Sequence, residues 1–153
     1  MASNRHLGRI IALQSLYEYE FRVQCEDQTV VISDILARNI DRYKDTVDDT
    51  VFIAALVTGV AEKSAELDEI LQPIAPEWPI EQIARVDRTI LRMAIYELKY
   101  SSDKVPPKVV INEAVELAKA FGSDNSSKFV NGVLGTAYRA LVGDSDVDTK
   151  AKV

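Results

Sequence analysis

The chain has a single cysteine, Cys25, and a single histidine, His6, among its 153 residues. One thiol cannot close an intramolecular disulfide, and one imidazole cannot build a histidine metal site or a pair of catalytic imidazoles. A reducing, cytoplasmic setting is expected. Long apolar runs are also missing. The N-terminus enters a mixed helical pattern with no unbroken hydrophobic stretch, so neither membrane insertion nor export is expected. Glycine and proline are few, 6 and 5, which excludes collagen-like and low-complexity chains. The sequence contains no GxxxxGK[ST], GxGxxG, CxxC or HExxH pattern, so the common nucleotide-binding and metal devices have no support. His6 and Cys25 do not make a catalytic dyad either. Their separation along one helix is roughly 28 Å at the usual rise per residue. No cofactor and no metal are expected.

What is present is ordinary for a globular protein: 47% hydrophobic and 27% charged residues, enough for one self-sufficient core. The net charge of -6 argues against a surface coated in nucleic acid. The charge is uneven, however. Arg5, His6 and Arg9 stand at the N-terminus without a neighbouring acid, whereas Glu26, Asp27, Asp34, Asp41, Asp45, Asp48 and Asp49 crowd the next stretch. Any anion-binding surface is therefore local.

Apolar residues recur at helical spacing along the chain, and no segment alternates like a strand. The fold class is all-α, with six or seven helices and no internal repeat. A first helix is predicted from Arg5 to about Gln24 and a second from Val30 to Tyr43. Asp48 and Asp49 stand where a cap is needed, before a long helix over Thr50 to Gln72. Gly59 within it marks a close helix approach. Pro73, Pro76 and Pro79 around Trp78 then break the chain and divide an N-terminal subdomain, 5–72, from a C-terminal bundle, 80–142. A short helix before Asp87 leads into one ending near Tyr100. Pro107 opens the next helix, Gly122 ends it as a C′ residue, and Ser123 and Asp124 cap the last. The polar segment 144–153 reads as a frayed, disordered tail after a single domain spanning 1–143.

Three groups carry potential chemistry. Arg5 and Arg9 are one helical turn apart, with His6 beside them, and can reach neighbouring phosphates or simply form a soluble helix end. Ser126, Ser127, Lys128 and Phe129 open the last helix, and Phe129 is either core or a stacking platform. Arg85, Arg88 and Arg92 with Glu81, Asp87 and Glu97 form a mixed-charge face, either a salt-bridged surface or a docking surface. Carboxylate pairs such as Glu66 with Glu69 and Glu113 with Glu116 share helix faces, but a solvated surface accounts for them. Nothing in the residues asks for an enzyme.

The strings Gln14-Ser15-Leu16-Tyr17, Ile90 to Leu98, Val110 to Lys119, Phe121-Gly122 and Ser127 to Leu134 resemble the NusB transcription antitermination family, in order and over nearly the whole chain. The resemblance implies an all-helical fold of two packed subdomains. It also implies a non-catalytic adaptor that binds boxA-type single-stranded RNA in ribosomal RNA transcripts together with the ribosomal protein NusE. With other Nus factors, the pair modifies elongating RNA polymerase. Some family members self-associate, so a homodimer is among the expected forms. The family's RNA-contacting residues correspond to Arg5, His6, Arg9, Asn125, Ser126, Lys128 and Phe129. Its partner surface corresponds to Glu81, Asp87 and Arg88. Leu7 and Gly8 make the basic cluster sparser than the family's arginine run. Asn125 is neutral where the family often has an acid, which removes repulsion toward phosphate.

Two rivals remain at this point. One is a fragment of an RNA cytosine methyltransferase with a NusB-like front domain, which requires a further cofactor domain and a second cysteine. The other is a dimeric helical module that binds no RNA.

Overall fold

The structure is a computed structural model that describes residues 2–142; the expected tail, 144–153, lies outside them. The described residues form seven α-helices and one 3₁₀ turn, with no strand among them. None of these helices is long and apolar enough to cross a membrane. The chain divides into two compact units, one ending at Lys63 and one beginning at Ser64.

The first unit contains α1 (Ala2–Gln24), α2 (Ile32–Arg42) and α3 (Thr50–Glu62). Helix α1 packs against both others and buries Ile11, Ala12, Leu13 and Leu16. Gly8 permits the α1–α3 approach, because a Cβ there would lie 3.1 Å from Ile53 Cγ1 and 3.5 Å from the Phe52 ring. Gly59 is buried in α3. A buried polar link joins α1 to α2: Asn39 Nδ2 donates to Ser15 Oγ at 3.0 Å, and Ser15 Oγ donates to the Ile11 carbonyl at 2.8 Å. Burying these groups without partners would cost more than the bonds contribute, so they register the two helices. Asp49 caps α3 as expected, its Oδ1 accepting from the Phe52 N–H at 2.9 Å.

The second unit contains α4 (Ser64–Ile74), the turn Ile80–Gln82, α5 (Arg85–Tyr100), α6 (Pro107–Phe121) and α7 (Ser126–Leu141). The helix expected over Thr50 to Gln72 is therefore two helices. Lys63 leaves helical geometry at φ -108 and ψ 16, while its N–H still bonds the Gly59 carbonyl. Neither Lys63 nor Ser64 breaks a helical pattern, so periodicity runs through the junction unmarked. The unit boundary accordingly lies at Lys63–Ser64 rather than at the prolines, and α4, with Leu67 and Leu71 buried, packs on α5. Pro73 sits in the last turn of α4, where it denies the Glu69 carbonyl its helical donor just before the helix ends.

Helix α5 packs against α4, α6 and α7 and is buried on nearly every side. This corrects the expected mixed-charge face: Asp87, Arg88 and Glu97 are buried. Arg92 turns inward, bonding Asp68 of α4 through Nε at 2.7 Å and Nη2 at 2.8 Å. The close of α6 also differs in mechanism from the expected left-handed cap. Gly122 is extended at φ -94 and ψ -168, and glycine is required there for space. A Cβ would lie 2.8 Å from the Ala118 carbonyl oxygen and closer still to the Ser126 side chain.

Helix α1 ends where Glu26 adopts φ 63. The Glu26 N–H bonds the Val23 carbonyl and the Asp27 N–H bonds the Arg22 carbonyl, each at 3.0 Å, a Schellman ending with a glutamate where glycine is preferred. Replacing Glu26 with Gly removes the Cβ penalty of the left-handed conformation, and we expect stabilisation of roughly 0.5–1 kcal/mol. Chemical denaturation checks this, and a destabilised E26G variant would contradict the assigned ending.

Candidate nucleic-acid interface

In the first unit, the basic end of α1 is organised by the start of α3. The Arg5 guanidinium lies 4.1 Å from the Phe52 ring centroid, and its Nη2 meets Asp49 Oδ2 at 3.2 Å. Arg9, one turn later, places its guanidinium 5.0 Å from the same ring. The spacing of four residues thus brings both arginines to one aromatic face, but their exposure differs. The Arg5 side chain is 43% exposed, whereas Arg9 is only 3% exposed and is withdrawn from any phosphate in solution. His6 is half-buried. The Asp49 carboxyl is held below the ordinary carboxylate range, first by the Phe52 N–H and then by Arg5, against a smaller opposing effect of burial than the N–H supplies. Asn4 fastens the same end to the preceding loop. Its Nδ2 donates to the Thr46 carbonyl at 3.1 Å, and its Oδ1 accepts from the Asp48 N–H at 3.2 Å.

In the second unit, two hollows meet at a shared aromatic wall formed by Trp78 and Phe129. One, about 230 Å³, adds Gln82, Ile83, Ala84, Asp87, Asn125 and Ser126 among its lining residues. The other, about 280 Å³, adds Pro76, Glu77, Lys128, Gly132 and Val133. The proline segment that carries Trp78 is stapled through its backbone. Gln72 donates from Nε2 to the Trp78 carbonyl at 2.9 Å and accepts at Oε1 from the Ile80 N–H at 3.1 Å. Arg88 Nη1 donates to the carbonyls of Ile80 and Ile83, each at 3.1 Å.

The residues singled out in the second unit divide by exposure. Asn125 and Lys128 are exposed and Phe129 is half-buried, so the first turn of α7 presents an amide, a cation and part of an aromatic ring. Ser126 is 2% exposed. Its Oγ accepts from the Ser123 N–H at 2.9 Å and pairs with the Ser123 hydroxyl at 3.2 Å, so it shapes the turn rather than facing solvent. The expected caps, Ser123 and Asp124, are replaced by this backward reach from within the helix, and the N-cap residue is Asn125 without a side-chain bond. Glu81 is exposed, while Asp87 lines the first hollow with Oδ1 buried and without a hydrogen-bond partner. Arg88 is committed to the turn carbonyls, which is why it is buried instead of displayed.

Four contributors were not singled out from sequence: Phe52, Trp78, Gln72 and Gly132. A large aromatic between prolines and a glycine inside a helical stripe were visible signals for Trp78 and Gly132. The partnerships of Phe52 and Gln72 depend on segments that only folding brings together.

The NusB family matches residues 6–139 of the chain. The transcription antitermination protein NusB of Chloroflexus aggregans is 42% identical over 97% of this chain and 95% of its own length. Among solved structures, NusB of T. maritima is 30% identical with a TM-score of 0.78, covering 88% of this chain and 90% of that one. A chain from a structure of the antitermination factors NusB and NusE in complex with dsRNA superposes with a TM-score of 0.75 over 92% of this chain and 99% of that one. At 24% identity that likeness is one of fold. With a family match over most of its length and close full-length relatives, this chain belongs to the NusB family.

Proposed function

We propose that the chain is a non-catalytic transcription antitermination adaptor. It binds boxA-type single-stranded RNA in nascent ribosomal transcripts with the ribosomal protein NusE and acts with other Nus factors on elongating RNA polymerase. The observation that carries this reading is the first turn of α7, where the exposed Asn125 and Lys128 flank the half-buried Phe129. Single-stranded RNA is recognised by aromatic faces, donors to base edges and cations along the backbone, and this turn supplies one of each. The exposed Arg5 guanidinium supplies a second cation.

The residue roles narrow on physical grounds. Arg5, Lys128, Asn125 and Phe129 are the direct contacts, with His6 beside Arg5. Arg9 and Ser126 act by positioning, Arg9 buried beside Phe52 and Ser126 inside the turn. Glu81 is offered to the partner, while the buried Asp87 and Arg88 support it from behind, Arg88 by fixing the turn before α5. Full-length likeness to proteins named as NusB favours the adaptor over a methyltransferase fragment.

Fluorescence anisotropy of a labelled boxA-like RNA, with and without NusE and at several salt concentrations, tests the proposal. Salt-sensitive binding that prefers boxA over a scrambled strand is expected. Removing Arg5 or Lys128 reduces the log–log salt slope by about 0.7 each, whereas Phe129→Ala loses roughly 1–3 kcal/mol with little change in slope. A folded protein without RNA affinity in any condition would refute the adaptor reading in favour of a helical module that binds no RNA.

Asp49 competes with phosphate for Arg5, and Asp49→Asn removes that competition while keeping a residue able to cap α3. The expected result is RNA binding tightened by about 0.3–1 kcal/mol, the range of an exposed ion pair, and abolished as an effect in the Arg5→Ala background. Equal tightening by Asp48→Asn would assign the change to net charge instead.

A further inference from the structure

Gly132 is an exposed glycine in the interior of α7, and a Cβ built on it meets nothing within 4 Å. Glycine in an exposed helix interior costs about 1 kcal/mol relative to alanine, and here no packing within the chain requires it. Gly135 in the same helix is equally open, whereas Gly8 and Gly122 are each pressed by a neighbour. A bare stretch of helix backbone lets an external group come close, and the position of Gly132 in a hollow, more than its openness, singles it out. Gly132 lines the second hollow, with Trp78 and Phe129 as its aromatic wall and Lys128 one helical turn away. Trp78, the largest aromatic side chain in the molecule, is 51% exposed, and the Gln72 staple fixes the backbone that carries it.

From this arrangement we infer that the hollow bounded by Pro76, Trp78, Lys128, Phe129 and Gly132 is a seat for one unpaired RNA base, stacked on Trp78, with its phosphate beside Lys128. This rests on the RNA-binding reading above and adds a residue and a subsite to it. Tryptophan gives the largest π surface for stacking, and its amphipathic ring tolerates exposure at a binding face. The volume of about 280 Å³ accommodates a flat ring approaching the helix backbone. Glu77, also in the lining, places the phosphate on the Lys128 side and is an acceptor for N–H groups on the base edge. A protein segment would fill an apolar hollow equally well, but the adjoining cation and the two aromatic lining residues favour the nucleic-acid base.

Trp78 is the only tryptophan in the chain, so its emission reports the site directly. The full chain is titrated with boxA-like single-stranded RNA while intrinsic fluorescence and the anisotropy of the labelled RNA are read in parallel. Quenching of Trp78 that tracks RNA binding is expected. Gly132→Gln should raise the unfolding temperature, because glutamine is the better helix former, and yet weaken RNA binding about ten-fold and remove the quenching. Trp78→Ala should weaken binding to a similar degree without changing the salt slope, since stacking displaces no counterions. RNA binding with unchanged Trp78 emission and undiminished affinity in G132Q would overturn the subsite while leaving the adaptor reading intact. A change in emission caused by NusE alone, and not by RNA, would overturn it in favour of a protein face. Absence of any RNA binding would overturn both readings together.

Discussion

A helix enclosed on nearly every side has little surface on which to leave a charge, and α5 is such a helix until its last turn, where Lys99 is exposed. Each of its buried ionic groups must be answered from within the fold or face a hollow. Arg92 is answered by Asp68, which binds α4 to α5 without any apolar contact being required at that point. Arg88 is answered by the carbonyls of the turn before its own helix. Those carbonyls belong to a chain segment that prolines have stripped of donors, so the guanidinium and the Gln72 amide together replace the hydrogen bonds that regular structure would have made. The exposed aromatic wall of the second unit follows from that replacement. Without it, the segment carrying Trp78 would have no fixed course.

The first unit follows a different economy. Its helices meet through a glycine and a buried Ser15–Asn39 bond, and its basic end is held by an aromatic ring and an acid at the start of α3. Arg5 and Arg9 look equivalent along the sequence, and both lie against the Phe52 ring, yet one keeps much of its side chain in solvent and the other is buried. A single turn of helix separates them. Whether a cation is offered to a ligand or spent on positioning is thus decided by burial in the fold, not by helical spacing.

The helical plan was largely legible because amphipathic spacing, the Asp49 cap and Pro107 each carry local physics. The break at Lys63 was not legible, since no residue there forbids a helix and only packing of α4 onto α5 ends the run. The same division holds for the candidate site. Asn125, Lys128 and Phe129 were visible as a turn of mixed chemistry and as part of a familiar string. Ser126 had the right residue type but was assigned an outward role, because a hydroxyl gives no sign of whether it serves solvent or the backbone N–H of Ser123. Charge patterning misled most on α5, where alternating acids and bases look like a wet surface and prove to be an interior.

Asp49 joins two tasks in one carboxylate: it caps α3 and tethers Arg5. Its pKa is lower in the folded chain than in the unfolded one, so its contribution to stability is complete above the ordinary carboxylate range, near pH 4. That contribution is lost as the pH falls through the depressed value. Protonation would then release the helix start and the arginine in the same event. The basic end of α1 is consequently coupled to the integrity of another helix through a proton, so that acid would loosen both ends of this small assembly together.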